Sequence, residues 1–268
     1  MDIRVLGPLE VRIDREPVAL GGPRPRAVLA DLIVHLGTVV STDRLIDDLW
    51  GSEPPATAQA VVQNAIARLR KSLGATAIAR VGPGYVLTVD PGSIDGHRFE
   101  RLVRDARPLP PAERARALHD ALALWRGPPF TEFTFATFLD AEIERLDELR
   151  LVALELRLEA EIELGLYDAA AAELAALAAQ EPVRERLRRL QMVALHRSGR
   201  TQEALDVYEQ TRHEDHAKEA TNVAQATAQG RHARRGARVR MRGGVGSRAA
   251  GGVGLGITAV SELDQRRV

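Results

Sequence analysis

The sequence contains no cysteine. Disulfide frameworks and thiolate-held metal sites are therefore excluded. Aromatic residues make up only 4% of the chain while Leu and Ala abound, a composition that favours helices. No apolar run approaches the roughly 18–20 residues needed to cross a bilayer. The opening MDIRVLGPLE has none of the features of a signal peptide, so a cytoplasmic protein without a membrane partner is expected. Negative charge is missing from one stretch in particular. Between Glu53 and Asp90 there is no acidic residue, whereas Arg68, Arg70, Lys71 and Arg80 all lie inside that gap. Net charge over the 268 residues is +0, so any basic surface has to be local. The length suits about two domains.

What is present begins with strands. IRVLGPLEVRID alternates and turns at Gly7-Pro8, predicting two short strands, with PVALGG as a third. From Pro25 the period changes. Val28, Leu29, Leu32, Ile33 and Leu36 fall at helical spacing, and Gly37 is a stop signal. TVV is a short extended piece, Ser41 an N-cap, and TDRLIDDLW a second helix. GSEPP breaks it, because proline supplies no amide and pushes its predecessor out of the helical region. A third helix is predicted from about Ala56 to Leu73, with Val62, Ile66, Leu69 and Leu73 forming the stripe that faces a core. The opposite side carries Thr57, Ala60, Asn64, Ala67, Arg68 and Lys71, with Gln63 and Ala65 on the flanks. Such a face, taken alone, is as well explained by simple solvation. But IARV, GPG and YVLTV follow it as a hairpin with Arg80 at its base. Strands, three helices and a terminal hairpin in this order are the winged helix-turn-helix plan. In that plan one helix fills the major groove, its polar side chains reach base edges, and the wing braces the backbone or minor groove. Asn64 and Arg68 are the side chains that this geometry aims at bases.

From about Ile94 the strands stop. FERLVRDAR, ERARALHDALALW and a stretch from Ala136 to Leu164 are amphipathic, with RGPPF breaking the chain before the last of these. Two later segments echo each other: Gly165 and Gly199 are 34 residues apart, as are Ala170 and Ala204. That is the period of tetratricopeptide helix pairs, in which a small residue sits at the crossing and Gly turns the chain. The expected architecture is therefore an α+β winged helix-turn-helix domain over residues 1–92, then an all-α tetratricopeptide-like domain over 93–212. Residues 213–268 carry ten Lys/Arg against five Asp/Glu and few large apolar residues, so a disordered tail is expected. It is either a solvated extension or a non-specific phosphate contact.

With these residues in hand, the chain resembles the antibiotic regulatory proteins of actinobacteria, which pair an OmpR-type winged helix with a bacterial transcriptional activation domain. The segments that carry the likeness are VLGPLEV, PRAVLADLIVHLGTVVSTDRLIDDLWGSEPPATA, RLRKSLG and GPGYVL, then DGHRFERLV, ALALWRGPPF, ERLDELRLVALELRLEAEIELG and LHRSGRTQEALDVYE. The resemblance covers about residues 1–212 and fades after Tyr208–Arg212. There the Pro-containing last helix of the family gives way to a tail of the composition that a high-GC coding sequence gives out of frame. The resemblance implies an activator that binds tandem direct repeats in double-stranded DNA upstream of a promoter, with two copies on one site. It implies base reading by Asn64, Ala65 and Arg68, of which Ala65 rests on the resemblance alone. Arg24, Ser41 and Lys71 become phosphate contacts and Arg80 the wing residue. The loop of Gly51, Ser52, Glu53, Pro54, Pro55, Ala56 and Thr57 is implied to touch RNA polymerase or its sigma subunit.

Enzymatic chemistry has little support. The His residues are scattered, no phosphate-cradling Gly loop follows a strand, and GGVGLG in the tail lacks the context of one. No cofactor and no metal is expected. The stronger rival is an adaptor, whose helical repeats hold a protein partner and whose winged helix does not bind DNA, since fold alone does not decide function.

Overall fold

The structure is a computed structural model and describes residues 1–133 and 136–213. The chain opens with a three-stranded antiparallel sheet, β1 (Asp2–Arg4), β2 (Glu10–Ile13) and β3 (Glu16–Pro17), in that order. Alternation explains it. Ile3 and Val11 are partners in register and point into the core, while the outward partners are charged, Asp2 opposite Arg12 and Arg4 opposite Glu10. The third strand is shorter than PVALGG suggests. Only Pro17 of that run stays in the sheet, and the chain leaves it through Gly21 (φ +99°) to start a helix at Pro23.

Helix α1 (Pro23–Val34) leads to β4 (Val40–Ser41), α2 (Thr42–Trp50), α3 (Ala58–Leu73) and the hairpin β5 (Ile78–Val81) and β6 (Gly84–Leu87). The second sheet has the order β4-β6-β5, all antiparallel. The expected N-cap is in place: the Ser41 hydroxyl accepts from the Arg44 amide at 3.1 Å. Val62, Ile66, Leu69 and Leu73 are buried against Val28, Leu29, Leu32 and Leu45 in one core.

Helices α4 (Asp95–Ala106), α5 (Pro111–Leu122), α6 (Asp140–Glu163), α7 (Tyr167–Gln180) and α8 (Glu185–Arg197) follow, and residues 201–213 are again helical. The 34-residue echo is structural. The amides of Leu164, Gly165 and Leu166 donate to the carbonyls of Ala160, Ile162 and Glu161, and those of Ser198, Gly199 and Arg200 donate to Ala194, His196 and Leu195. Both glycines have positive φ, and Ala170 and Ala204 are both buried. Ion pairs add to the packing of α8 on α6. Arg184 bonds Glu148 at 2.6 Å and also Glu155, which is buried, while Arg186 bonds Glu159 at 2.9 Å. The bonds to Glu155 and Glu148 hold the Arg184 guanidinium above its ordinary range. The expectation for the tail falls on 214–268, which lie outside the described residues.

Residue 92 marks a change of element type, not a break in the core. One apolar cluster runs from Ile3 through the winged helix to Ala153 in α6, and a second holds Leu158 to Ala204. Polar bonds seal the junction. Asp95, 2% exposed, accepts the Val5 amide at 2.7 Å and the Leu6 amide at 3.3 Å. The Arg126 amide donates to the Leu6 carbonyl and the Phe130 amide to the Val5 carbonyl. Glu132 accepts the Leu9 amide at 3.1 Å and pairs with Arg26 of α1 at 2.5 Å, while Arg26 also donates to the Leu9 carbonyl. Asp95→Ala should lower stability by about 2–4 kcal/mol, because two buried amides lose their acceptor. A urea titration with an unchanged m-value checks this.

A second buried carboxylate lies between α1 and α2. Asp31 is fully buried, and burial, reinforced by Asp48, pushes its pKa up to about 6. His35 Nδ1 lies 2.9 Å from both the Asp31 carbonyl and the carboxylate, but its hydrogen bond runs to the carbonyl. A carboxyl whose folded pKa is raised favours folding while protonated and opposes it once ionised, so this contribution to stability falls between about pH 4 and 6. Asp31→Asn has no such loss. Melting temperatures across pH 4 to 7.5 should show the variant gaining on the parent as pH rises, and a constant difference would count against the assignment.

Candidate nucleic-acid interface

Helix α3 presents to solvent the side chains of Gln59, Ala60, Gln63, Asn64, Ala67, Arg68 and Lys71. Thr57, at its N-cap, and the loop from Gly51 to Ala56 are exposed as well. Arg80 of β5 is exposed beside the wing turn, Gly82-Pro83. Arg68, Lys71 and Arg80 make no ion pair or hydrogen bond among the described residues. Most of the arginines at the domain junction and in the α6–α8 stack are paired. Unpaired cations on a small, polar helix face, with no acid between Glu53 and Asp90, suit contact with a polyanion.

The wing is held at several points. Thr42 Oγ1 donates to the Pro83 carbonyl at 2.7 Å, tying the turn to the start of α2. Arg70 Nε donates to the Ile78 carbonyl at 2.9 Å and its guanidinium lies 5.9 Å from the Tyr85 ring. Arg70 thus braces the wing against α3, although in the sequence it stands among the basic residues of the helix. Gly82, with φ +55°, supplies the positive dihedral that a two-residue hairpin turn requires at its first central position.

The sequence expectations divide. Asn64, Arg68 and Lys71 share the exposed face, and Arg80 joins them on the wing side. Ala65 does not. It is 3% exposed and belongs to the core cluster with Val62 and Leu69, so its methyl group faces the protein interior. Arg24 is exposed but committed to α2: Nη1 donates to the Leu49 carbonyl at 3.1 Å and the guanidinium sits 4.5 Å over the Trp50 ring. Ser41 spends its acceptor on the α2 cap and keeps its hydroxyl hydrogen for another partner. Gln59 was not foreseen on the exposed face, and Gln63 is fully on it rather than at its flank.

Comparison with known proteins agrees with this geometry. The profile described as transcriptional regulatory protein, C terminal, matches residues 16–89, and that of the bacterial transcriptional activator domain matches 94–218. Regulatory protein DnrI of Streptomyces peucetius is 36% identical over 225 residues, spanning 78% of this chain and 82% of DnrI. This chain belongs to the actinobacterial antibiotic regulatory protein family. It is a transcriptional regulator and not an enzyme. Regulatory protein AfsR of Streptomyces coelicolor is 39% identical over 219 residues, but the match spans 21% of AfsR. The structure of Mycobacterium tuberculosis EmbR in complex with low affinity phosphopeptide superposes with a TM-score of 0.74 at 34% identity, covering 78% of this chain and 58% of that one. Among the described residues of the regulator no helix is long and apolar enough to cross a membrane.

The regulator's wing depends on one close approach. A Cβ on Gly84 would run into the Val40 carbonyl oxygen and come within 2.9 Å of Val39 Cγ1, so β4 reaches β6 only because residue 84 has no side chain. Gly84→Ala should force the two strands apart and cost about 1–3 kcal/mol. Thermal denaturation measures that loss. Hydrogen exchange should show it as faster exchange at the Thr42 amide, which donates to the Pro83 carbonyl.

Proposed function

We propose that this regulator is a sequence-specific activator of a secondary-metabolite gene cluster, acting in the cytoplasm on promoter DNA. The observation that carries the reading is the trio of exposed, unpaired cations Arg68, Lys71 and Arg80 beside the polar face of α3. Arg68 and Asn64 lie one turn apart, in position for adjacent base edges, guanine for the arginine and adenine for the asparagine. Lys71, Arg80, the Ser41 hydroxyl and the N–H groups that Arg24 leaves over serve the phosphates, which set register and orientation. On tandem direct repeats two copies sit in the same orientation, forming a dimer on DNA.

The loop Gly51–Thr57 is the proposed contact for RNA polymerase or its sigma subunit. All seven residues are exposed, and Pro54 and Pro55 stiffen the run. It leads directly into α3, so a protein bound there meets the regulator beside the groove it reads. Residues 1–92 then form the DNA-binding unit and 93–212 the activation unit.

Fluorescence anisotropy on a promoter fragment selected by the protein tests the division of roles. Arg68→Ala should cost about 1–3 kcal/mol on the specific site. Lys71→Ala should weaken all sequences alike and reduce the salt slope by about one. Equal losses in both variants would overturn the division. Weak binding indifferent to sequence and to Arg68 would favour an adaptor whose helical repeats hold a protein.

A further inference from the structure

Arg68 is the one proposed base-reading side chain whose stem lies in a slot, and the floor of that slot is Gly21. A Cβ built on Gly21 would stand 2.6 Å from Arg68 Nε, 2.9 Å from Cδ and 3.0 Å from Cζ. These three atoms set the direction of the guanidinium. The slot is anchored to α3 a turn further on, where the Ser72 hydroxyl donates to the Ala19 carbonyl at 3.0 Å. The guanidinium makes no hydrogen bond or ion pair among the described residues; Gly21 lies against Cδ and the Nε–Cζ edge, which leaves the two Nη groups available.

We infer that Gly21 is a positioning residue for DNA reading: the bare backbone of the β3–α1 loop holds the Arg68 stem in the rotamer from which its donors reach a base. This rests on the proposed function, since it presumes that Arg68 meets DNA. The physical reason is preorganisation. A free arginine on a helix face has many rotamers and gives up that freedom on binding, whereas a stem already seated has less to lose. Bidentate recognition of a guanine also demands a fixed approach for the planar fork, so a displaced stem loses specificity before it loses charge. Gly22 is the internal control. It has an ordinary φ of −74°, and nothing lies within 4 Å of a Cβ added there.

The test is a double-mutant cycle in the full chain, using the duplex that the protein selects from a random-sequence pool and a scrambled duplex as the non-specific probe. Gly21→Ala and Arg68→Ala should each weaken the selected duplex by about 5- to 150-fold. Both should leave the scrambled duplex within a few-fold, and the double variant should be no weaker than Arg68→Ala alone. Gly22→Ala should bind as the parent does. The φ of +99° at Gly21 also strains any side chain placed there, but that strain is independent of Arg68. It shows as a lower melting temperature in both backgrounds. Ser72→Ala loosens the slot without touching Gly21 and should lose part of the specific affinity at unchanged non-specific affinity.

Losses that multiply in the double variant would overturn the positioning role, as would full specific affinity in Gly21→Ala. Should Gly21→Ala fail to fold, Ser72→Ala decides alone, and an unchanged specificity ratio in it overturns the role. If Arg68→Ala itself leaves the selected duplex unaffected, or if no duplex is selected, the proposed function fails and the slot with it.

Discussion

Two consecutive amides, those of Val5 and Leu6, leave the first sheet with no strand to receive them, and the buried carboxylate of Asp95 takes both. Burial pushes the Asp95 carboxyl above its usual range, while the two amides and Arg126 pull against that. The charge is tolerated there only because the donors are fixed, and the donors are fixed because the sheet is. Removing either side leaves the other buried and unsatisfied, which is why such a site is more expensive to break than its net contribution suggests. Around it Arg126 reaches the Pro8 carbonyl and Glu10, and Glu132 joins Leu9 to Arg26.

The consequence is that the first sheet, the helix-turn-helix and α4 to α6 share one core. Three of the segments that carry the family likeness, VLGPLEV, DGHRFERLV and ALALWRGPPF, meet at this junction. Their residues hold the two halves together. α3 therefore does not swing freely beneath a separate activation domain. It is packed on α1 and α2, which are themselves packed on the sheet that Asp95 holds. The second core, from Leu158 to Ala204, shares only α6 with the first.

How much of this was legible in the sequence depends on the range of the interaction. The stripe of Val62, Ile66, Leu69 and Leu73 follows from helical periodicity, and so does its exposed counterface. Ala65 lies at the flank of that counterface on the helical wheel, and the structure turns it to the core side, three residues after Val62 and four before Leu69. Base reading by Ala65 rests on the likeness alone, and a side chain buried in the core cluster gives it no support. The Gly165 and Gly199 turns were legible because a repeated local geometry leaves a repeated residue. The junction was not. Arg26 and Glu132 are 106 residues apart, and Arg126 and Glu10 116 apart, and nothing local distinguishes these residues from the many other charged ones. Asp14 and Arg15 also hid their turn. Both have positive φ without the Gly or Asn that normally marks such a hairpin, and the third strand was consequently expected one residue too late and four too long.

A net charge of +0 limits how such a protein can hold DNA. Long-range attraction is weak when the rest of the body balances the basic face, so the affinity must come from contact. On the proposed reading Lys71, Arg80 and Arg24 neutralise phosphates in each copy, while Arg4, Arg12, Arg26 and Arg126 are engaged in ion pairs. Counterion release then gives a salt slope of roughly −2 to −3 per copy. So shallow a slope goes with weak non-specific binding, and one copy on one site gains little beyond its few base contacts. Tandem sites repair this without any new residue, since a second copy held beside the first adds its own contacts at high effective concentration. On the proposed reading, few phosphate contacts per copy and direct repeats in the operator are two aspects of one electrostatic constraint. An arginine whose stem is already seated has most to contribute in a protein that has few cations to spare.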